Sequence, residues 1–354
     1  MEQTRRLLLR HFELYPAAEL TDLFKYLFQS AFGCEHLVSF PERVIDYIRK
    51  EYHAVTSFYP PEVVELDGDY CRVSLSCLQD GVSPETLGKL FCRSAKKEPH
   101  GKARLDTMLQ TAKELIAEGA LPFSPDAFDQ ALAWWESNDF CPVHHSETFR
   151  NAYRPAYRVI AKEYVRLLPL LARIDQALAK GSCTLAIEGG SASGKSTLSA
   201  LLSELYDCNV IHMDDFFLRP EQRTADRLTE IGGNIDRERF LTEVLHPLSE
   251  SEPFSYRPFD CSTQALREPV QIPRKPLTVI EGVYSMHPAF SDCYDLSVFL
   301  DIAPATQKQR VEKRNSPFFA QKYLETWIPM ENRYFTETDA KNRCTLSIPE
   351  EFNP

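Results

Sequence analysis

The chain has 354 residues, 43% hydrophobic and 26% charged, with a formal net charge of −11. That length exceeds one typical core and predicts two domains, while the acidic balance excludes a general nucleic-acid or anionic-membrane surface, either of which needs a basic face. Leu7-Leu8-Leu9 is interrupted at once by Arg10-His11, and no apolar run approaches the ~20 residues of a membrane span, so a cytoplasmic location is expected. Ten cysteines at scattered spacings, with no CxxC pair, predict reduced thiols rather than a disulfide framework.

From the N-terminus to about residue 180 the periodicity is chiefly helical. Leu20 to Phe32 carries apolar residues at helical spacing and stops at Gly33; Pro41 to Tyr52 reads as a second helix. Tyr70 to Leu78 alternates apolar and polar residues and predicts a strand. Ser83-Pro84-Glu85 opens a helix with a cap and a first-turn proline, and Leu105 to Glu118 and Asp126 to Ser137 predict two more. Arg150, Arg154 and Arg158 are spaced by four, as on one helix face, and Trp134-Trp135 reads as core or interface packing. Cys34, His36, Cys141 and His144 could be drawn together around zinc, but their spacings match no zinc finger or ribbon. Pro155 to Lys180 reads as one helical connector, kinked at Pro169 and ended by Gly181-Ser182, which divides the chain into 1–180 and 181–354.

The chemistry begins at Gly189-Gly190-Ser191-Ala192-Ser193-Gly194-Lys195-Ser196-Thr197, which fits G-x-x-x-x-G-K-[ST]. Two glycines free the backbone to turn successive N–H groups around a phosphate chain. Lys195 adds a point charge for the outer phosphates and Ser196 a hydroxyl for magnesium. Cys183 to Ile187 before the loop reads as a buried strand, and Thr197 to Leu205 after it as an amphipathic helix. Asn209 to Met213 predicts a second strand delivering Asp214-Asp215; if the extended geometry continues, only one of the two faces the phosphates. Leu277 to Ile280 predicts another strand, ending in Glu281, placed to hold magnesium directly or through water, and Leu296 to Ile302 a further one. A helix over Ala305 to Arg314 carries Lys308, Arg310, Lys313 and Arg314, cations suited to clamping a transferring phosphoryl group.

The order of these motifs, with Asn234-Ile235-Asp236 and Tyr256-Arg257-Pro258-Phe259-Asp260 between them, resembles the uridine kinase and phosphoribulokinase family of P-loop kinases. His212 to Phe217 and Trp327-Ile328-Pro329-Met330-Glu331 look closest to its nicotinamide riboside kinase branch, and the resemblance covers about residues 183 to 348. It implies an α/β, three-layer P-loop NTPase-type domain with a largely parallel sheet, here preceded by a mainly helical domain. It further implies Asp214 as general base, Asp236 on ribose hydroxyls, Tyr256 or Phe259 near the base, Glu281 with the metal, and Arg310 and Arg314 in the lid. Asn315 to Pro329 and the insert from Arg219 to Gly233 depart from the family pattern.

The reading at this level is an ATP- and Mg²⁺-dependent kinase acting on a hydroxyl of a nucleoside or riboside, with Ser196, Asp214 and Glu281 as metal candidates. A kinase for another sugar-like or pantothenate-like alcohol, and a non-catalytic ATP-binding regulator, are the alternatives. A small hydroxylated substrate is the expected partner, without nucleic acid or membrane, and a homo-oligomer stays open.

Overall fold

The computed structural model describes residues 2–250 and 252–350, which form two compact units divided after Ala172. The division falls inside helix α8 (Leu168–Leu178), upstream of Gly181-Ser182.

The N-terminal unit contains α1 (Glu2–Leu14), α2 (Leu20–Phe32), α3 (Val44–Ala54), α4 (Pro84–Ser94), α5 (Gly101–Ala117), α6 (Pro125–Ser137) and α7 (Glu147–Tyr153). Ser83 and Ser124 cap α4 and α6 by accepting the backbone N–H three residues on, as the Ser-Pro pairs imply. Trp135 is fully buried and stacks on Phe24 at 4.6 Å, while Trp134 beside it is 54% exposed.

Three short strands interrupt the helical pattern: β1 (Val63–Glu65), β2 (Tyr70–Ser74) and β3 (Tyr157–Ala161), antiparallel with β2 in the middle. The predicted connector helix from Pro155 is therefore corrected. Tyr157, Val159 and Ile160 suit a pleated surface, and a partner strand more than 80 residues upstream offers them a ladder. The arginine face dissolves with it: Arg154 ends α7 at φ 44°, and Arg158 lies in β3, paired with Glu51 at 2.8 Å. The strand at Tyr70 also stops earlier than predicted, at Ser74, whose side chain accepts the N–H of Ser76 and turns the chain into a 3₁₀ segment.

The cysteine and histidine candidates are each engaged separately. The Cys34 thiol contacts the Phe91 carbonyl at 3.8 Å, His36 meets the Phe28 ring edge-on, and the carbonyls of Cys141 and His144 accept from Trp135 and Thr21. Among the described residues, no three His, Cys, Asp or Glu side chains are grouped to hold a metal ion.

The C-terminal unit is built on a parallel five-stranded sheet: β4 (Cys183–Gly189), β5 (Cys208–His212), β6 (Leu277–Glu281), β7 (Leu296–Leu300) and β8 (Leu346–Ile348). The spatial order is β8-β7-β4-β6-β5, so the strand that enters the phosphate loop is central. Four of these strands are mostly buried apolar runs, as a sheet covered on both faces requires. Helices α9 (Lys195–Leu205), α10 (Pro304–Arg314) and α11 (Ile328–Thr338) complete the P-loop NTPase-type α/β architecture. No helix among the described residues is long and apolar enough to cross a membrane.

Candidate phosphate-loop site

The loop is set by backbone geometry. Gly189 lies at φ 142°, where a β-carbon would stand 2.6 Å from the Leu300 carbonyl of the neighbouring strand. Gly194 at φ 104° closes the loop as the residue preceding α9. The first-turn N–H groups of α9 have no partners within the helix, so loop amides and the positive helix end form one anion cradle. Lys195 is only 9% exposed and donates to the carbonyls of Gly189 and Gly190 at 2.8 and 3.0 Å, which holds its charge against the loop.

Strand register brings the acids to this edge. Glu281 pairs with Ile187 on one side and His212 on the other, at the C-terminal ends of their strands. Its carboxylate accepts from the Ser196 hydroxyl at 3.1 Å and lies 2.7 Å from His212 Nδ1. Burial opposes ionisation of Glu281, but the hydrogen bond and charge of His212, with Lys195 and Ser196, outweigh it and keep the carboxyl below its ordinary range. His212 is raised in turn, chiefly by that hydrogen bond.

The two aspartates do not continue an extended strand. β5 ends at His212, and Met213–Phe216 forms a 3₁₀ turn, anchored by the buried Met213 and Phe216. Asp214 keeps solvent-exposed surface, yet the surrounding protein crowds its carboxyl and raises it above the usual aspartate range. Lys195 draws it back and Glu281 adds to the rise. Asp215 accepts the Tyr256 hydroxyl at 2.8 Å, and its carbonyl accepts from Arg239. One aspartate thus stays available and the other is structural.

The remaining candidates divide in the same way. Asp236 is 2% exposed, caps a short helix by accepting the Arg239 N–H, and receives the Gln222 amide at 2.8 Å. Tyr256 and Phe259 are buried, the first against Phe216 at 5.2 Å and the second beneath Arg223 at 5.7 Å. Arg310 on α10 donates to the Ala192 carbonyl at 3.1 Å and pairs with Glu350 at 3.3 Å; Arg314 lies 5.6 Å over Tyr323. Arg310 therefore touches the loop, while Arg314 packs within the helices following it.

Three residues around the loop have no role assigned from the sequence, although Glu331 lies in the Trp327 to Glu331 stretch. Glu331 on α11 accepts both the backbone N–H of Ser191, at 2.8 Å, and its hydroxyl; Gln307 on α10 donates to the Ser191 carbonyl at 2.9 Å. Glu188, directly before the loop, is completely buried and accepts from Gly189 N–H, Met286 N–H and the Tyr334 hydroxyl at 2.9–3.0 Å. A charged residue ending an otherwise apolar strand was the available signal for Glu188. Helix α11 supplies Glu331 and Tyr334 together and so fixes the loop's entry and its first turn.

Burial pushes the Glu188 carboxyl up to about 7, against the pull of the two N–H donors, Lys195 and Tyr334. Raised in the folded state, the group contributes stability that is complete below about 4.5 and lost as pH rises through about 7. The stability of wild type relative to Glu188→Gln should fall by up to about 3 kcal/mol across that window and stay level above it. Urea unfolding at a series of pH values measures this, and a difference independent of pH would contradict it.

Magnesium fits the oxygen donors gathered here. Hard cations of this size bind through one or two carboxylates together with substrate phosphates, and Ser196, Glu281 and Asp214 offer a hydroxyl and two carboxylates at one sheet edge.

No family model matches the chain, and no curated protein matches it. Among solved structures it is similar to one described as a possible uridine kinase from Bacillus stearothermophilus, at 21% identity over 51% of this chain and 98% of that chain, with a TM-score of 0.38. It is also similar to a candidate fructose transport system kinase from Silicibacter sp. TM1040, at 21% identity over 49% of this chain and 95% of that chain, with a TM-score of 0.40. The fold assignment rests on this chain's own strand order and on the loop that leaves its central strand.

Proposed function

We propose that the C-terminal unit is an ATP- and Mg²⁺-dependent kinase that phosphorylates a hydroxyl of a small molecule, a nucleoside or another riboside. The observation that carries this reading is Asp214, an available carboxylate electrostatically coupled to Lys195 at the mouth of a phosphate cradle. A nucleotide sensor has no use for a base directed at a hydroxyl.

In this reading the loop amides and the start of α9 bind the phosphates, and Lys195 leaves the loop carbonyls for the outer ones. Ser196 and Glu281, with Asp214 alongside, would hold magnesium, which would supply charge neutralisation to the phosphates. Asp214 accepts the acceptor's hydroxyl proton; the oxygen bonds to the γ-phosphorus, whose bond to the β,γ-bridging oxygen breaks, and ADP leaves with that electron pair. Arg310, already on the loop at Ala192, supplies positive charge to the equatorial oxygens. Asp236 would reach acceptor hydroxyls by exchanging the Gln222 amide for them, with Tyr256 or Phe259 near the acceptor's base.

The test is ADP release by purified protein with Mg-ATP against nucleosides, nicotinamide riboside, pantothenate and simple sugars. Turnover dependent on a riboside supports the proposal. Turnover only on pantothenate or a sugar would replace the acceptor class, and ATP binding without turnover on any acceptor would replace catalysis by sensing.

A further inference from the structure

The N-terminal unit carries an open apolar hollow beside β3, an edge strand of its three-stranded sheet. Val44 on α3, Phe91 on α4 and Val159 on β3 are buried and form its floor, while Leu37 and Tyr47, 47% and 54% exposed, stand at its rim. Val44 and Tyr47 are three positions apart and so share a face of α3, and Leu37 ends a 3₁₀ turn over Glu35–Leu37. The space between them is about 200 Å³. An apolar cavity of about 150 Å³ takes benzene, so this hollow admits one ring with a substituent of a few atoms. A protein partner covers about 800 Å² a side, a far broader surface than the hollow presents.

One charged side chain joins this apolar lining. Arg158 lies 5.7 Å from the Phe91 ring and uses Nη1 on Glu51 at 2.8 Å and on the Tyr157 carbonyl at 2.9 Å. Its Nε and Nη2 donate to no described residue, although the side chain is only 12% exposed. Sheltered donors without an acceptor carry a desolvation cost that a bound acceptor would offset. The Tyr157 hydroxyl is engaged elsewhere, with His145 at 2.8 Å and Gln29 at 3.4 Å.

These features set the chemistry of the ligand. Glu51 already balances the charge of Arg158, so an ionised ligand would bring an unmatched charge against an apolar floor, and a neutral one is favoured. The rings of Tyr47 and Phe91 suit a flat aromatic body, and the guanidinium N–H groups left over suit a neutral acceptor such as a carbonyl oxygen.

We propose that this hollow binds a small neutral aromatic carbonyl compound, its ring against Val44, Tyr47 and Phe91 and its carbonyl oxygen accepting from Arg158. The proposal rests on the N-terminal unit alone and does not depend on the phosphate-loop chemistry.

Ligand-detected NMR titration of the full chain with benzamide tests this, with benzoate, benzylamine and toluene as comparisons. Benzamide should bind saturably with Kd of about 1 mM or tighter, within what a ligand of its size can reach. Benzoate and benzylamine, which add a charge, and toluene, which lacks the acceptor, should each bind several-fold more weakly. Arg158→Lys keeps a cation beside Glu51 but removes the planar donors. It should weaken benzamide about tenfold and leave toluene unchanged, a difference that misfolding does not produce. Tyr47→Ala, at the exposed rim, should weaken both several-fold in a folded protein. Absence of saturable benzamide binding, tighter binding of benzoate, equal losses of benzamide and toluene in Arg158→Lys, or benzamide affinity unchanged in either variant would each overturn the proposal. So would a concentration-dependent dimer that Tyr47→Ala abolishes, because a second copy of the chain would then occupy the hollow.

Discussion

Replacing Lys195 by alanine is expected to lower acceptor-dependent ADP formation about 10³-fold, mainly in kcat. Lys195 is the cation built into the cradle itself, 9% exposed and poised on the carbonyls of Gly189 and Gly190. A charged donor aimed at developing phosphoryl charge in a water-poor site contributes about 3–4 kcal/mol to the transition state, comparable to one oxyanion-hole donor. The variant also leaves two loop carbonyls without their donor, so Lys195→Met, which keeps the stem, separates lost charge from lost packing. Steady-state kinetics with binding of ATP measured alongside decides it. Activity within tenfold of wild type in both variants would remove Lys195 from the transition state.

Asp214→Asn should lower kcat about 10²- to 10⁴-fold while leaving ATP affinity nearly unchanged, because a general base acts on the acceptor rather than on the donor. The side chain keeps exposed surface within a 3₁₀ turn anchored by Met213 and Phe216, so the isosteric change leaves the fold intact. The pH profile carries a second signature. Crowding raises the Asp214 carboxyl above the ordinary aspartate range, so activity should fall as pH drops through that raised value, where the base becomes protonated. That acid limb should vanish in the residual activity of the variant. A limb that persists in Asp214→Asn belongs to another group, of which His212 and Glu281 are the nearest to test.

Asp215 and Asp236 show why residue type alone does not define the site. The sequence offers Asp236 for ribose hydroxyls and leaves open which of Asp214 and Asp215 faces the phosphates. In the structure Asp215 receives a tyrosine hydroxyl 41 positions away, and Asp236 caps a helix while holding Gln222. Which acids already hold partners within the chain depends on distant segments, and a linear pattern does not record them. The same holds at Ser191, whose N–H and hydroxyl are bound by Glu331 from 140 residues downstream.

What the sequence by itself determined is the local machinery. The loop from Gly189 to Thr197 needs only backbone freedom at two glycines, a lysine and a hydroxyl within nine residues, and the apolar runs at Cys183, Asn209, Leu277 and Leu296 suffice for buried parallel strands. Helices α2, α4 and α6 are legible because their caps and apolar faces are short-range. Tertiary structure decided the rest. It made Tyr157–Ala161 a strand rather than part of a helix, because β2 was present to pair with it. It left Asp214 exposed and engaged Asp215 with Tyr256, through a turn where an extended strand was expected. It also buried Arg72 among tyrosines with Asp22 already satisfied by His145 and Ser146. Each of these outcomes rests on contacts between residues far apart in the chain, where the free energy of burial and pairing outweighs local preference.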